Sequence, residues 1–249
     1  MKRLLPKAQT KVCATNARSA PWQRGTGFSL FVQLFQHRLK LALLFCLLLS
    51  ASSALSAQPR LIFSKFFKGS KPENVLITVE LSGAASYREG PEDDNPLHFQ
   101  LAESEAREMF ELAGKLEHFQ RPLESGLKVA NMGKKTLRFE DGKETHEASF
   151  NYSEDPDAKT LTDWFERISE TEQEFIELDN TMHFEKLGVD RALALVRITY
   201  ENKRLIAPQQ FLPLLDRIAN NESFMHMARA HAASLADAFR AGATPAVQP

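Results

Sequence analysis

The sequence predicts an α+β protein: an antiparallel sheet of two hairpins with helices on one face, followed by an all-helical carboxy-terminal subdomain. Three observations predict it. Apolar and polar residues alternate in short runs before residue 102 and again between 127 and 152, the period of half-buried strands. Each group of such runs is followed by apolar residues three and four apart, the period of a helix packed by one face. After Gly188 only the helical period remains. Runs of strands joined by tight turns, with helices gathered on one face, are an α+β arrangement. A parallel doubly wound sheet, and the nucleotide crevice that goes with it, is therefore not expected.

Val75, Ile77, Val79 and Leu81 share the first strand face. Ser82-Gly83 signals a turn, Ser86-Tyr87-Arg88 a return strand, and 97–101 alternates again after a polar loop. Met109, Phe110, Ala113, Leu116 and Phe119 make the stripe of a helix that must end before Pro122. The stretch 127–139 reads as a strand bulged at Met132-Gly133. Asp141-Gly142 favours a hairpin turn, and 148–152 is the returning strand. Asp155-Pro156 opens a long helix, proline being suited to the first helical position. Its apolar stripe is Leu161, Trp164, Phe165, Ile168, Phe175 and Leu178. Asp190 caps a helix over 191–204, Pro208 opens a short one, and 222–240 forms the last. The final two, joined at Asn220-Asn221, make a helical hairpin. The resulting plan is 1–57 as amino-terminal extension and signal peptide, 58–74 as linker, 75–187 as the α+β domain, 188–240 as helical subdomain and 241–249 as disordered tail.

The address comes from residues 38–57. Arg38 and Lys40 precede an apolar run at 41–49, and Ser50 to Ala57 is almost wholly small residues. These are the three parts of an export signal of bacterial type, placing the protein in the periplasm or outside the cell. Cleavage is expected after Ser56 or Ala57. The alternative is an uncleaved membrane anchor, but a spanning helix needs about 20 apolar residues and this run is shorter. Cys46 lies mid-run after Phe45, which argues against lipidation. Residues 1–37 carry cations and no acid, so either they are a targeting extension or translation begins near Val32. Amino-terminal sequencing of the natural product is expected to read from Ala57 or Gln58; an intact Met1 terminus contradicts export with cleavage.

Residues 1–57 hold 8 of the 31 Lys and Arg and none of the 32 Asp and Glu, so their removal takes the formal charge from −1 to −9. So acidic a chain is ill suited to nucleic acid or to an anionic membrane, and membrane contact is expected only through an uncleaved amino-terminal segment. Both cysteines, Cys13 and Cys46, fall in the lost part. Disulfides, thiolate catalysis and cysteine-ligated zinc are thereby excluded from the remainder. Eighteen Phe against three Tyr point to aromatic core rather than wet binding surface.

No zinc-binding helix, phosphate loop or nucleophile elbow is present, and no cofactor or metal site is expected. Glu222 and His226 are four apart but supply only half a metal site, with His146, His183 and His231 scattered elsewhere. Glu166, Glu170, Glu172, Glu174, Glu177 and Asp179 make the long helix acidic. They are read as its solvated face, with an acid–base pair as the alternative. Asn131, Lys134, Lys135 and Arg138 concentrate cations in an acidic chain and are the candidate binding residues. Two readings stand for them: an anion or partner contact, or a sheet edge guarded by lysines.

The stretch from Lys128 to Thr136, then Phe150-Asn151-Tyr152-Ser153 and Trp164-Phe165-Glu166, resembles a group of exported bacterial proteins without assigned activity, over about 75–239. The hairpin–helix–hairpin–helix part is similar to small domains of the same layout. Neither resemblance implies an activity or a functional residue. The expectation is a non-enzymatic module binding an envelope or secreted protein; the alternative is a hydrolase whose residues are scattered along the chain.

Overall fold

The computed structural model describes residues 58–90, 92–142 and 144–243. The signal segment and residues 244–249 lie outside the described residues. The fold is α+β, with a six-stranded antiparallel sheet followed by a helical carboxy-terminal part. The strands are β1 (Arg60–Phe66), β2 (Asn74–Glu80), β3 (Ala84–Arg88), β4 (Leu97–Gln100), β5 (Lys134–Glu140) and β6 (Thr145–Phe150), in the order β4-β3-β2-β1-β5-β6. The helices are α1 (Glu103–Lys115), α2 (Pro156–Phe184), α3 (Val189–Glu201), α4 (Leu212–Ala219) and α5 (His226–Ala243).

One expectation is overturned at the centre of the sheet. The 58–74 segment is no linker: it contains β1, which pairs with β2 on one side and β5 on the other. Without β1 the β2-β3-β4 meander and the β5-β6 hairpin have no hydrogen bonds between them. Leu61 and Phe63 point into the core and are almost wholly buried. The period-two signal is masked because Ile62 and Phe66 lie on the opposite face, while Lys65 takes the third inward position.

A second difference is at 127–133, where no ladder forms. Leu127, Val129 and Met132 are exposed, and the segment is pinned by Asn151, whose side chain accepts from Met132 N at 2.7 Å and donates to Ala130 O at 3.0 Å. Gly133, at φ +92°, then enters β5 so close to β1 that a Cβ there would lie 2.9 Å from Phe67 Cβ. Gly142, at φ +83°, makes the β5-β6 turn as expected.

The inward sheet face packs on α1 through Met109 and Ala113 and on α2 through Leu161, Phe165 and Ile168, forming one core. A second core joins Leu178 and Met182 of α2 to α3, α4 and α5. Helix α2 thus serves both cores. The α4–α5 pair is antiparallel: Arg240, late in α5, bridges Asp216 of α4 at 2.6 Å, and Phe239 packs near Phe211. The last helix begins at His226, after Glu222, and runs to Ala243, into the stretch expected as tail. Among the described residues no helix is long and apolar enough to cross a membrane.

Candidate functional site

The site is built on α2, a helix of 29 residues. Its start is fixed by Asp155, whose carboxylate accepts from Asp157 N at 2.9 Å and Ala158 N at 3.2 Å. Pro156 follows at a position where the missing N–H costs nothing. Arg121 donates to the same carboxylate at 2.6 Å and holds it below the usual carboxylate range, so the cap stays charged at the positive end of the helix.

The helix buries one stripe and presents a neighbouring ridge to an open cleft of about 620 Å³. Glu166, Glu170, Glu174 and Glu177 stand on that ridge at four- and three-residue spacing, so their side chains share one wall. Phe63 and Lys65 of β1 line the sheet side; Ala192 and Leu195 of α3, with Arg204 beyond it, line the other. The lining holds these four carboxylates against the two cations Lys65 and Arg204. The acidic ridge is therefore not simply a solvated helix face.

The four acids are held differently. Glu166 pairs with Lys65 at 3.6 Å and with Lys135 at 4.0 Å. Glu170 accepts from Arg204 Nε at 2.7 Å. Glu174 accepts from the Thr199 hydroxyl through Oε1, while its Oε2 is buried with no hydrogen-bond partner among the described residues. Burial pushes the Glu174 carboxyl up, and the charge of Glu170 adds to the effect. Glu177 is exposed at the far end. A buried acceptor without a donor costs about 1–3 kcal/mol, and its burial disfavours the charged form of this carboxyl. A carboxyl that gains protons easily beside one held by arginine also has the makings of an acid–base pair.

Glu172, next in sequence to this ridge, points elsewhere. It is 1% exposed, accepts from Gln210 Nε2 at 2.8 Å and leaves Oε2 without a hydrogen-bond partner among the described residues. Burial pushes its carboxyl up to about 7, the Gln210 bond opposing the rise.

The candidate residues of the basic strand do not form one surface. Alternation along β5 puts Lys134 and Arg138 on the open sheet face and turns Lys135 inward, where it is 5% exposed. Arg138 is neutralised by Glu140 on the same face. Asn131 is spent on its own turn, accepting from Gly133 N at 2.9 Å. Since β5 lies between β1 and β6, its lysines guard no sheet edge. Of the four, only Lys135 reaches the site, through Glu166.

Sequence reasoning left out Lys65, Thr199 and Arg204. The usable signal was the four-residue spacing of the acids from Glu166; nothing in the sequence says which helix faces them. Glu222 lies before α5, so it and His226 do not share a helix face. His231 instead sits 3.3 Å from Asp190 of α3. Among the described residues no group of three or more His, Cys, Asp or Glu is placed to hold a metal ion. Comparison with models of known protein families gives no match, and comparison with curated proteins gives none either.

Proposed function

We propose that this chain is an exported, non-enzymatic binding module whose acidic cleft takes a cationic segment of an envelope or secreted protein. The observation that carries the reading is the carboxylate wall of a cleft of about 620 Å³, four glutamates against the two cations Lys65 and Arg204. A lysine or arginine side chain entering the cleft meets the carboxylate wall and offsets the repulsion between Glu170 and Glu174. The signal read at 38–57 supplies the compartment, and the acidity of the remainder suits a basic partner.

The test is a titration of the full chain with a labelled octalysine peptide. Saturable binding that weakens steeply from 50 to 200 mM salt is expected, with no binding of octaglutamate. Glu174→Gln is expected to weaken binding about three- to tenfold, in keeping with the loss of one carboxylate from the wall. Equal affinity for both peptides contradicts the reading. A hydrolase is the second reading, favoured by the raised Glu174 carboxyl beside an arginine-held Glu170. Turnover of ester, glycoside or peptide substrates that Glu174→Gln abolishes would decide for it.

A further inference from the structure

Past Glu166, toward the start of α2, the sign of the site reverses. A smaller cavity of about 150 Å³ opens there, with Lys135 and Lys159 in its lining and Glu166 shared with the acidic cleft. The Lys135 side chain is only 7% exposed. An ammonium has three N–H donors, and a buried one is costly unless it is both paired and hydrogen-bonded. Lys135 has little of either. It donates to Asn151 O at 3.4 Å and meets Glu166 at 4.0 Å, and Glu166 is already engaged by Lys65 at 3.6 Å. Glu124 attracts it from further off. Burial accordingly pulls the Lys135 amine below its ordinary value. Lys159 lies exposed at the rim, its Nζ 5.3 Å from the Tyr152 ring centre.

The hydroxyl at Thr162 donates within its own helix to Ala158 O at 2.7 Å and the Asn151 amide donates to Ala130 O at 3.0 Å, so the two lysines are the charged donors of this lining. Lys65 and Glu124, the other charges acting on Lys135, are of opposite sign, so the two ammonium groups against Glu166 leave a single positive charge, which matches a monoanion. A phosphate dianion would be repelled by Glu166.

We propose that this cavity is a carboxylate-binding subsite in which Lys135 and Lys159 donate to the ligand. The ligand has two sources of the same chemistry: a free small carboxylate, or the carboxyl terminus of a chain lying in the cleft. The second source rests on the reading of the acidic cleft; the first does not. It is geometrically available because Glu166 lines both cavities, with Glu170 and Glu174 following it at four-residue spacing on the cleft side. A basic chain with its terminus at Lys135 would run its side chains past the acids.

The experiment uses the full chain. Sodium acetate is compared with sodium chloride at equal ionic strength, following Tm and the lysine Cε resonances by NMR. Octalysine with a free carboxyl terminus is then compared with its amide. Acetate is expected to raise Tm above the chloride control and to move one buried lysine resonance. Lys135→Met should abolish both effects. Lys159→Gln, at an exposed position where substitution is expected to change stability little, should weaken acetate about tenfold, as for one charge-assisted contact. A free-acid peptide binding about tenfold tighter than its amide identifies a chain terminus as the source; equal binding with an intact acetate effect identifies a free carboxylate. The subsite is overturned if acetate and chloride act alike in the wild type, or if the acetate effect survives in Lys159→Gln and Lys135→Met. Octalysine binding with no acetate effect and no acid–amide difference leaves the cleft reading standing while sinking the subsite. Loss of all peptide binding sinks the cleft reading, and the acetate arm then judges the subsite alone.

Discussion

Replacing Phe63 with alanine is expected to lower the unfolding free energy by about 3–5 kcal/mol in urea denaturation, the usual range for emptying a buried phenylalanine site. Phe63 is 0% exposed and stacks on Phe165 of α2, with ring centres 4.9 Å apart and planes 7° from parallel. It is also on β1, so the cavity would open where the strand that joins the two halves of the sheet meets the helix above it. Phe66, on the opposite face and 50% exposed, is the control. Phe66→Ala is expected to change stability by less than about 1 kcal/mol. If Phe63→Ala were as mild as Phe66→Ala, β1 would not be the central strand.

The second large effect is a pH dependence centred on Glu172. Its carboxyl is raised from about 4.5 to about 7, so the folded chain binds this proton more tightly than the unfolded chain does. The stability this contributes is fully present below pH 4.5 and is lost as pH rises through about 7. At roughly 1.4 kcal/mol per pH unit the loss is about 3 kcal/mol. Glu172→Gln keeps an oxygen to accept from Gln210 and carries no charge. It is therefore expected to match the wild type near pH 4 and to exceed it by about 3 kcal/mol at pH 8, measured by urea unfolding at each pH. Glu174, also raised by burial, adds a slope of the same sign that the substitution leaves in place. Equal pH profiles for the two proteins would contradict the burial of Glu172.

The α+β class, the order of the strands after residue 74 and the start of α2 were legible because each rests on a local signal. Val75, Ile77 and Val79 share a face whatever the rest of the chain does, and Asp155-Pro156 begins a helix through its own hydrogen bonds. Strand β1 was not legible, because its inward face ends in a lysine whose pairing is settled by Glu166, a hundred residues on. The extent of β5 was overestimated for the opposite reason. Residues 127–133 carry an apolar alternation, but Gly133 and the grip of Asn151 take them out of the ladder.

The site was half legible. The acids of α2 were visible as a stripe, yet a stripe cannot reveal whether water or another helix lies opposite. Glu172 shows how closely the two cases stand. It follows Ile168 by four residues and so falls on the apolar stripe, where it is buried, while Glu170 and Glu174 on either side line the cleft. Lys135 belongs to the basic strand yet faces inward, away from the surface that carries Lys134 and Arg138. Its inward direction follows from the pleat of β5, which fixes Leu137 and Phe139 in the core and carries Lys135 with them.

The acidic cleft as the place of partner binding is tested most directly by amide chemical-shift mapping of the full chain during the octalysine titration. Salt-sensitive shifts are expected to concentrate at 166–177 of α2 and at 192–195 of α3. Shifts gathered instead on the open sheet face around Lys134 and Arg138, or spread evenly over the surface, would contradict it.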